Sequence, residues 1–401
     1  MTRYQQVKNL SLDDLRARTH LPIDDVVDTA RTRFAILPME GWDGTEDGRP
    51  TDLVRRRWSR FGTSGAELVW GGEAFAVRPD GRANARQLCL GASSADDLAE
   101  LRALLSPQQR TSLQLTHSGR WSLPPAPGRR DPLLDARRTG DLCDTSRLAD
   151  DYVAAAVLAR DAGFDFVDVK ACHGYLLHEL LGGDGPLEER ARLQKTIVDR
   201  VRAEGIEVGV RLSVFDAAPR NGAGEPEADE PWGFREPIEL LDHLDVDLVC
   251  VTAGSPYYCP HVQRPAFFPP SDGYAPPEDP LRGVERLVDA ALALKRARPQ
   301  WTVVASGVSY LQEHLPHVAS ALCKEVDYVG IGRMALSYPD LPADVLAGRP
   351  LDRRKLCRTF SDCTTAPRNG LVSGCYPLDD HYKSMPERDV LVKVKRGHSS
   401  R

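Results

Sequence analysis

Eight short apolar runs, each followed by a longer amphipathic segment, predict a (βα)8 TIM barrel with long βα loops and a C-terminal extension. Two other observations support this. A chain of 401 residues can form one such barrel, because α/β barrels routinely exceed the usual domain size. The rival, an open doubly wound sheet, would carry a glycine-rich turn after its first strand, and that turn is missing here.

The strands expected from β-branched and apolar runs are Arg33–Met39, Glu67–Gly72, Ser112–His117 and Asp165–Ala171. Four more follow at Glu207–Ser213, Asp247–Gly254, Trp301–Val308 and Asp327–Arg333. Most are largely apolar, as suits parallel strands covered on both faces. Helical spacing runs through Asp52–Arg60, Ser94–Leu105, Ser146–Ala162 and Glu188–Glu204, then through Pro237–Leu244, Leu281–Ala297, Leu311–Cys323 and Leu341–Ala347. Ser94 and Ser146 stand where helix caps belong, and Gly163 and Gly205 stand at helix ends. Residues 1–350 form the expected barrel. Residues 351–401 form a Cys-bearing extension, and its tail from Lys383 reads as a frayed basic terminus.

Composition narrows the function classes. The hydrophobic fraction is 41%, the charged fraction 27% and the net charge −6, which argues against nucleic acid as a partner. Residues 1–20 lack the apolar core of a secretory signal, and no stretch approaches about 18 uninterrupted apolar residues. A cytoplasmic protein with no membrane partner and a small-molecule substrate is the expectation, and nothing excludes a homo-oligomer. Nine cysteines scattered over a long chain do not suggest a disulfide scaffold.

In a barrel, active sites form where strands end at the C-terminal face. The loops expected there, Ser118–Thr145, Val214–Gly233 and Ser255–Pro280, are long and rich in Pro, Gly and charge. The aromatic, Pro-rich stretch His261–Pro280 looks like a lid, or else a surface excursion. Polar residues at the strand ends are Glu40 after Pro38–Met39, then Glu73 with Ala74, Gln114 and His117. Lys170, His173, Tyr175 and Arg211 follow, and then Gly307 and Gly332–Arg333. Gly307, Gly332 and Arg333 suit a phosphate cradle, because glycine lets backbone N–H groups approach an anion and Arg adds a fork of donors. Lys170 interrupts an apolar strand in a chain with nine lysines, and such a lysine needs a counter-charge or a task. His173 can bind a carbonyl and Tyr175 can donate a proton, although each taken singly also suits a capping or packing role.

The segments RFAILPMEGWDG, GGEAFAVRPDGR, LQLTHSGRWS, DFVDVKACHGYLLHELL, VGVRLS and VGIGRMALSYPDLP decide among these readings. Over about residues 30–345 the sequence resembles the Old Yellow Enzyme family of FMN-dependent NAD(P)H oxidoreductases, particularly the bacterial branch that includes 2,4-dienoyl-CoA reductase. The resemblance implies that Pro38, Met39 and Ala74 contact the flavin ring and that Gln114 hydrogen-bonds its pyrimidine edge. It places Arg211 near the N1/O2 side and gives the phosphate to Gly307, Gly332 and Arg333. The carbonyl-anchoring pair falls on Lys170 and His173, and the proton donor on Tyr175. The expected electron donor is NADH or NADPH and the expected reaction is reduction of an activated alkene. Alternatives are a dehydrogenase or demethylase running in the oxidising direction, and a barrel without catalysis.

The chain departs from the family in three places. Lys170 replaces a histidine. Glu40 replaces a Cys or Thr, and its charge near the ring would disfavour reduction unless it is paired or turned away. The relatives' [4Fe–4S] cluster needs four thiolates, whereas Cys357, Cys363 and Cys375 leave one position to Phe360, so no cluster is expected.

Overall fold

The computed structural model describes residues 10–91, 95–122, 147–182, 185–214, 235–257, 259–270 and 274–398. Within them, parallel strands β1 (Phe34–Ile36), β2 (Leu68–Val69), β3 (Ala74–Ala76), β4 (Arg110–Thr116) and β5 (Phe166–Val169) are followed by β6 (Glu207–Ser213), β7 (Leu248–Thr252), β8 (Thr302–Ala305) and β9 (Tyr328–Ile331). From β3 to β9 each pairs with the next, β2 pairs with β4, and β1 closes the circle by pairing with both β2 and β9. β2 and β3 are two halves of one barrel strand, pairing with the start and the end of β4 respectively. The expected strand Glu67–Gly72 therefore breaks and resumes. Gly71 and Gly72, with φ of 80° and 52°, make the break, and a Cβ on Gly71 would lie 2.7 Å from that of Gln114. The result is the eight-stranded barrel the alternation predicts.

Strand alternation divides the apolar residues into two cores. Ala35, Leu37, Leu68, Trp70, Phe166, Leu248, Cys250 and Val304 fill the barrel interior. Their neighbours Phe34, Ile36, Val69, Val167, Val169, Val249 and Val251 face the surrounding helices. The expected helices appear within a few residues of their limits, for example Asp52–Gly62, Leu148–Asp161, Leu187–Ala203 and Pro280–Ala297. Gly163 and Gly205 stand past helix ends at φ of 86° and 79°. Leu311–Cys323 differs: a 3₁₀ segment, Val308–His314, precedes an α-helix at Leu315–Leu322, and Gln312 with φ of 52° kinks the 3₁₀ segment. The caps expected at Ser94 and Ser146 lie outside the described residues, as do the loop positions 123–145 and 215–233.

The extension clasps the C-terminal face. Ser373 Oγ accepts from Trp42 N at 2.8 Å, and Arg56 and Arg60 both bind Asp379. Thr359 Oγ1 accepts from Phe267 N at 2.9 Å, and Ser361 Oγ donates to the Phe268 carbonyl at 2.6 Å. The stretch read as a lid is thus pinned beneath the extension over these residues. The tail also differs from the frayed terminus expected of it. It forms a helix, Glu387–His398, because Leu391 buries against Ala366, Tyr376 and Tyr382 while Lys395 binds Asp362 at 2.6 Å.

Candidate active site

The β5 end and its turn build one wall of the site. His173 and Gly174 take left-handed conformations, φ 67° and 77°, and turn the chain sharply into the helix Leu176–Leu181. A non-glycine residue holds such a conformation only where its surroundings over-determine it. Here Ser255 Oγ donates to the His173 carbonyl at 2.8 Å, and Gly174 N donates to His178 Nδ1 at 2.8 Å.

Three sequence candidates meet at this turn. Lys170 Nζ lies 3.9 Å from the centroid of the Tyr175 ring and 3.8 Å from Glu40 Oε2. Tyr175 Oη donates to the same Glu40 oxygen at 2.5 Å. Glu40 is therefore paired, which answers the question its charge raised. Burial lowers the Lys170 pKa, while Glu40 acts in the opposite sense. Burial, followed by the Glu40 charge, pushes the Tyr175 phenol well above its usual range. His173 Nε2 sits 3.2 Å from Thr252 Oγ1, and burial, reinforced by the Arg211 charge, keeps the imidazole neutral.

Sequence reasoning missed the cover of this wall. Tyr257 Oη lies 3.2 Å from Tyr175 Oη, and its ring stacks on Trp121 at 4.0 Å and 5°. Trp121 follows β4 and Tyr257 follows β7, so two loops meet across the mouth. The aromatic residues were visible in the sequence, but their pairing across 136 positions was not.

The floor is a buried polar layer. Asp168 accepts from Trp70 Nε1 at 2.7 Å, from Gln114 Nε2 at 2.5 Å and from Arg211 N at 2.7 Å. An Asp inside an apolar strand was the available signal for it. Arg211 Nη1 donates to the Pro38 carbonyl at 3.1 Å, leaving Nε buried without a partner among the described residues. Met39 N is held by the Gly72 carbonyl at 3.2 Å, and Ala74 pairs in register with Gln114. Pro38, Met39, Ala74, Gln114 and Arg211 thus gather at one end of the barrel.

At the ends of β8 and β9, Gly307 has a φ of 89°, and Gly332 brings the backbone close to Met39 Sδ. Arg333 is buried, donates Nη2 to the Pro265 carbonyl at 2.8 Å and leaves Nη1 without a partner. Among the described residues it has no carboxylate partner, and burial lowers its pKa. A buried cation without a counter-ion fits an anionic ligand such as a phosphate. The Cys357 thiol, pushed up to about 11 by burial and opposed by Arg333, belongs to the same neighbourhood. Among the described residues no group of three or more His, Cys, Asp or Glu is arranged to hold a metal ion.

Two strand-end candidates turn elsewhere. Glu73 faces outward to bind Arg57 together with Asp43. His117 Nδ1 accepts from Gly119 N at 3.1 Å, and burial lowers its pKa to about 4, which makes it a neutral loop brace.

Comparison with known proteins completes the picture. The model of the NADH:flavin oxidoreductase / NADH oxidase family matches residues 141–255, which include the β5 turn. An NADPH dehydrogenase of Geobacillus is 30% identical over 268 residues, covering 59% of this chain and 74% of that protein. A rice 12-oxophytodienoate reductase is 28% identical over 221 residues, covering 52% and 50%. A 2-naphthoyl-CoA reductase structure superposes with a TM-score of 0.68 at 17% identity, over 89% of this chain and 56% of that one, and shares the fold. The chain spans half or less of the length of some relatives it matches, including the rice protein. On the strength of the family match and the Geobacillus relative, the chain belongs to the NADH:flavin oxidoreductase / NADH oxidase family, the Old Yellow Enzyme family of FMN-dependent oxidoreductases.

Proposed function

We infer that the protein is an FMN-dependent NAD(P)H oxidoreductase that reduces an alkene activated by a carbonyl group. The observation carrying this reading is the pair of buried arginines, Arg211 and Arg333, each with a donor nitrogen lacking a partner among the described residues, at the same end of the barrel. Those donors fit the two electron-rich parts of FMN, its pyrimidine edge and its phosphate. FMN, when bound, supplies the two-electron chemistry that links a nicotinamide to an organic acceptor.

The residues divide the remaining work. Arg333, with the backbone at Gly307 and Gly332, would hold the phosphate. Arg211 Nε would face the N1/O2 edge, where positive charge favours an electron-rich ring. Gln114 spends its amide nitrogen on Asp168, so its Oε1 is left to accept from a ring N–H. Pro38, Met39 and Ala74 would supply backbone and apolar contact. Neutral His173 would donate from Nε2 to the substrate carbonyl beside Thr252, and so stabilise negative charge developing on that oxygen. Lys170, held 3.8 Å from Glu40, would add a positive field to this wall. Tyr175 would hold the proton destined for the carbon next to the carbonyl. A relative whose name denotes an oxo-diene reductase supports this substrate class.

The test is an absorbance spectrum of the purified protein, followed by anaerobic addition of NADH or NADPH and then of 2-cyclohexenone. Flavin bands that bleach with nucleotide and return with the enone support the reading. A colourless protein that takes up no added FMN overturns it.

A further inference from the structure

We propose that Glu40 is the proton-loading residue behind Tyr175, a role that rests on reading Tyr175 as the proton donor. Glu40 follows the end of β1, while Tyr175 follows β5, 135 positions later, and the fold joins them through one carboxylate oxygen. Lys170 approaches that same oxygen. Lys170 and Tyr175 are 4% and 3% exposed, whereas the Glu40 side chain is 18% exposed, so the carboxyl is the member of this trio that water reaches best.

An ionised Glu40 works against donation by Tyr175. It accepts the phenol proton, and loss of that proton to substrate would leave a phenolate against a carboxylate in a buried space. A protonated Glu40 removes the conflict. As the Tyr175 Oη–H bond breaks and its proton goes to the substrate carbon, the Glu40 O–H bond breaks and its proton passes to Tyr175 Oη. The pair thus loses one proton, Tyr175 ends neutral, and Glu40 ends as a carboxylate beside the Lys170 ammonium. One proton from solvent at Glu40 restores the starting state.

This assigns a task to Lys170: its charge stabilises the carboxylate left after transfer. Other charged and titratable groups surround the trio. Arg211 reaches the Pro38 carbonyl, Asp168 lies beneath Lys170, Cys172 and neutral His173 share the turn, and Tyr257 Oη meets Tyr175 from above. The direct hydrogen bond and the ion pair to Glu40 come from Tyr175 and Lys170.

The experiment follows reoxidation of the reduced holoenzyme by 2-cyclohexenone across pH, in wild type, Glu40→Gln, Tyr175→Phe and the double variant. Glu40→Gln is expected to slow reoxidation by about 100-fold, far more than it slows flavin reduction by NAD(P)H, and to abolish the fall of the rate with rising pH. The double variant is expected to be no slower than Tyr175→Phe, because both act on one proton path. Wild-type rates and pH dependence in Glu40→Gln, with a slow Tyr175→Phe, overturn the role of Glu40 and leave that of Tyr175 intact. A fully active Tyr175→Phe removes the reading of Tyr175 itself. If the Gln variant loses FMN, Glu40→Asp decides: retained pH dependence supports the proposal, and a pH-independent rate overturns it.

Discussion

Arg57 and Arg333 are buried to nearly the same degree, 6% and 7% exposed, yet their surroundings are opposite. Arg57 donates to both oxygens of Asp43, at 2.7 and 3.0 Å, and to Glu73, while Trp58 Nε1 binds the same Glu73 oxygen at 3.3 Å. All three nitrogens of its guanidinium donate to carboxylates of the chain itself. Arg333 has a single backbone carbonyl and a buried Nη1 that nothing among the described residues answers. Ionic groups removed from water cost several kcal/mol unless they are compensated. The first arginine is therefore a finished structural element, and the second, which we propose holds the FMN phosphate, keeps a donor open to a ligand. Burial of a charge does not mark a site, whereas the missing counter-charge does.

Replacing each arginine in turn separates the two cases. Arg57→Met strands two carboxylates in the interior and is expected to lower the unfolding free energy by about 3–5 kcal/mol, the usual cost of breaking a buried ion pair. Urea denaturation of the holoprotein measures this, and a loss below about 1 kcal/mol would show that the cluster is not what holds this corner. Arg333→Met removes a cation with no carboxylate partner among the described residues and is expected to leave the stability of the FMN-free protein nearly unchanged. Its effect should fall on the cofactor: FMN should bind about 10- to 100-fold more weakly, equivalent to the roughly 1.5–3 kcal/mol of a hydrogen bond to a charged group. Titration of flavin fluorescence reads this directly. Equal FMN affinity in the two proteins would remove Arg333 from the phosphate site.

The same contrast explains how far the sequence could be read. The short apolar runs and the helical spacing located the barrel because local pattern and global packing agree in Val249, Val251 and their neighbours. The break at Gly71–Gly72 was not legible, because it depends on the close approach of Gln114 from another strand. The strand-end rule found Arg333 and Glu73 alike and could not tell them apart. Glu73 turns outward only because Arg57, on the helix Asp52–Gly62, is there to receive it. Likewise Glu40 could be named, but its attachment to Tyr175 and Lys170 arises from bringing β1 beside the β5 turn in three dimensions. The tail was misread because a basic, alternating sequence gives little sign that a single leucine, Leu391, will find a pocket.

The smallest effect lies within the Arg57 cluster itself. One guanidinium faces two carboxylates, so one negative charge is in surplus. Burial, ahead of the attraction of Arg57, raises Glu73 from 4.5 to about 7. Because the folded-state value lies above the unfolded one, the folded protein binds the Glu73 proton more tightly. The stability this contributes is complete below about 4.5 and is lost as pH rises through about 7. A single proton sets the limit: the unfolding free energy should fall by no more than about 1.4 kcal/mol per pH unit in this window. Glu73→Gln, neutral at every pH, should lack that slope when urea midpoints are compared across the window. Parallel curves for the two proteins would mean that Arg57 neutralises both carboxylates equally, and the contrast with Arg333 would then be one of full against absent compensation.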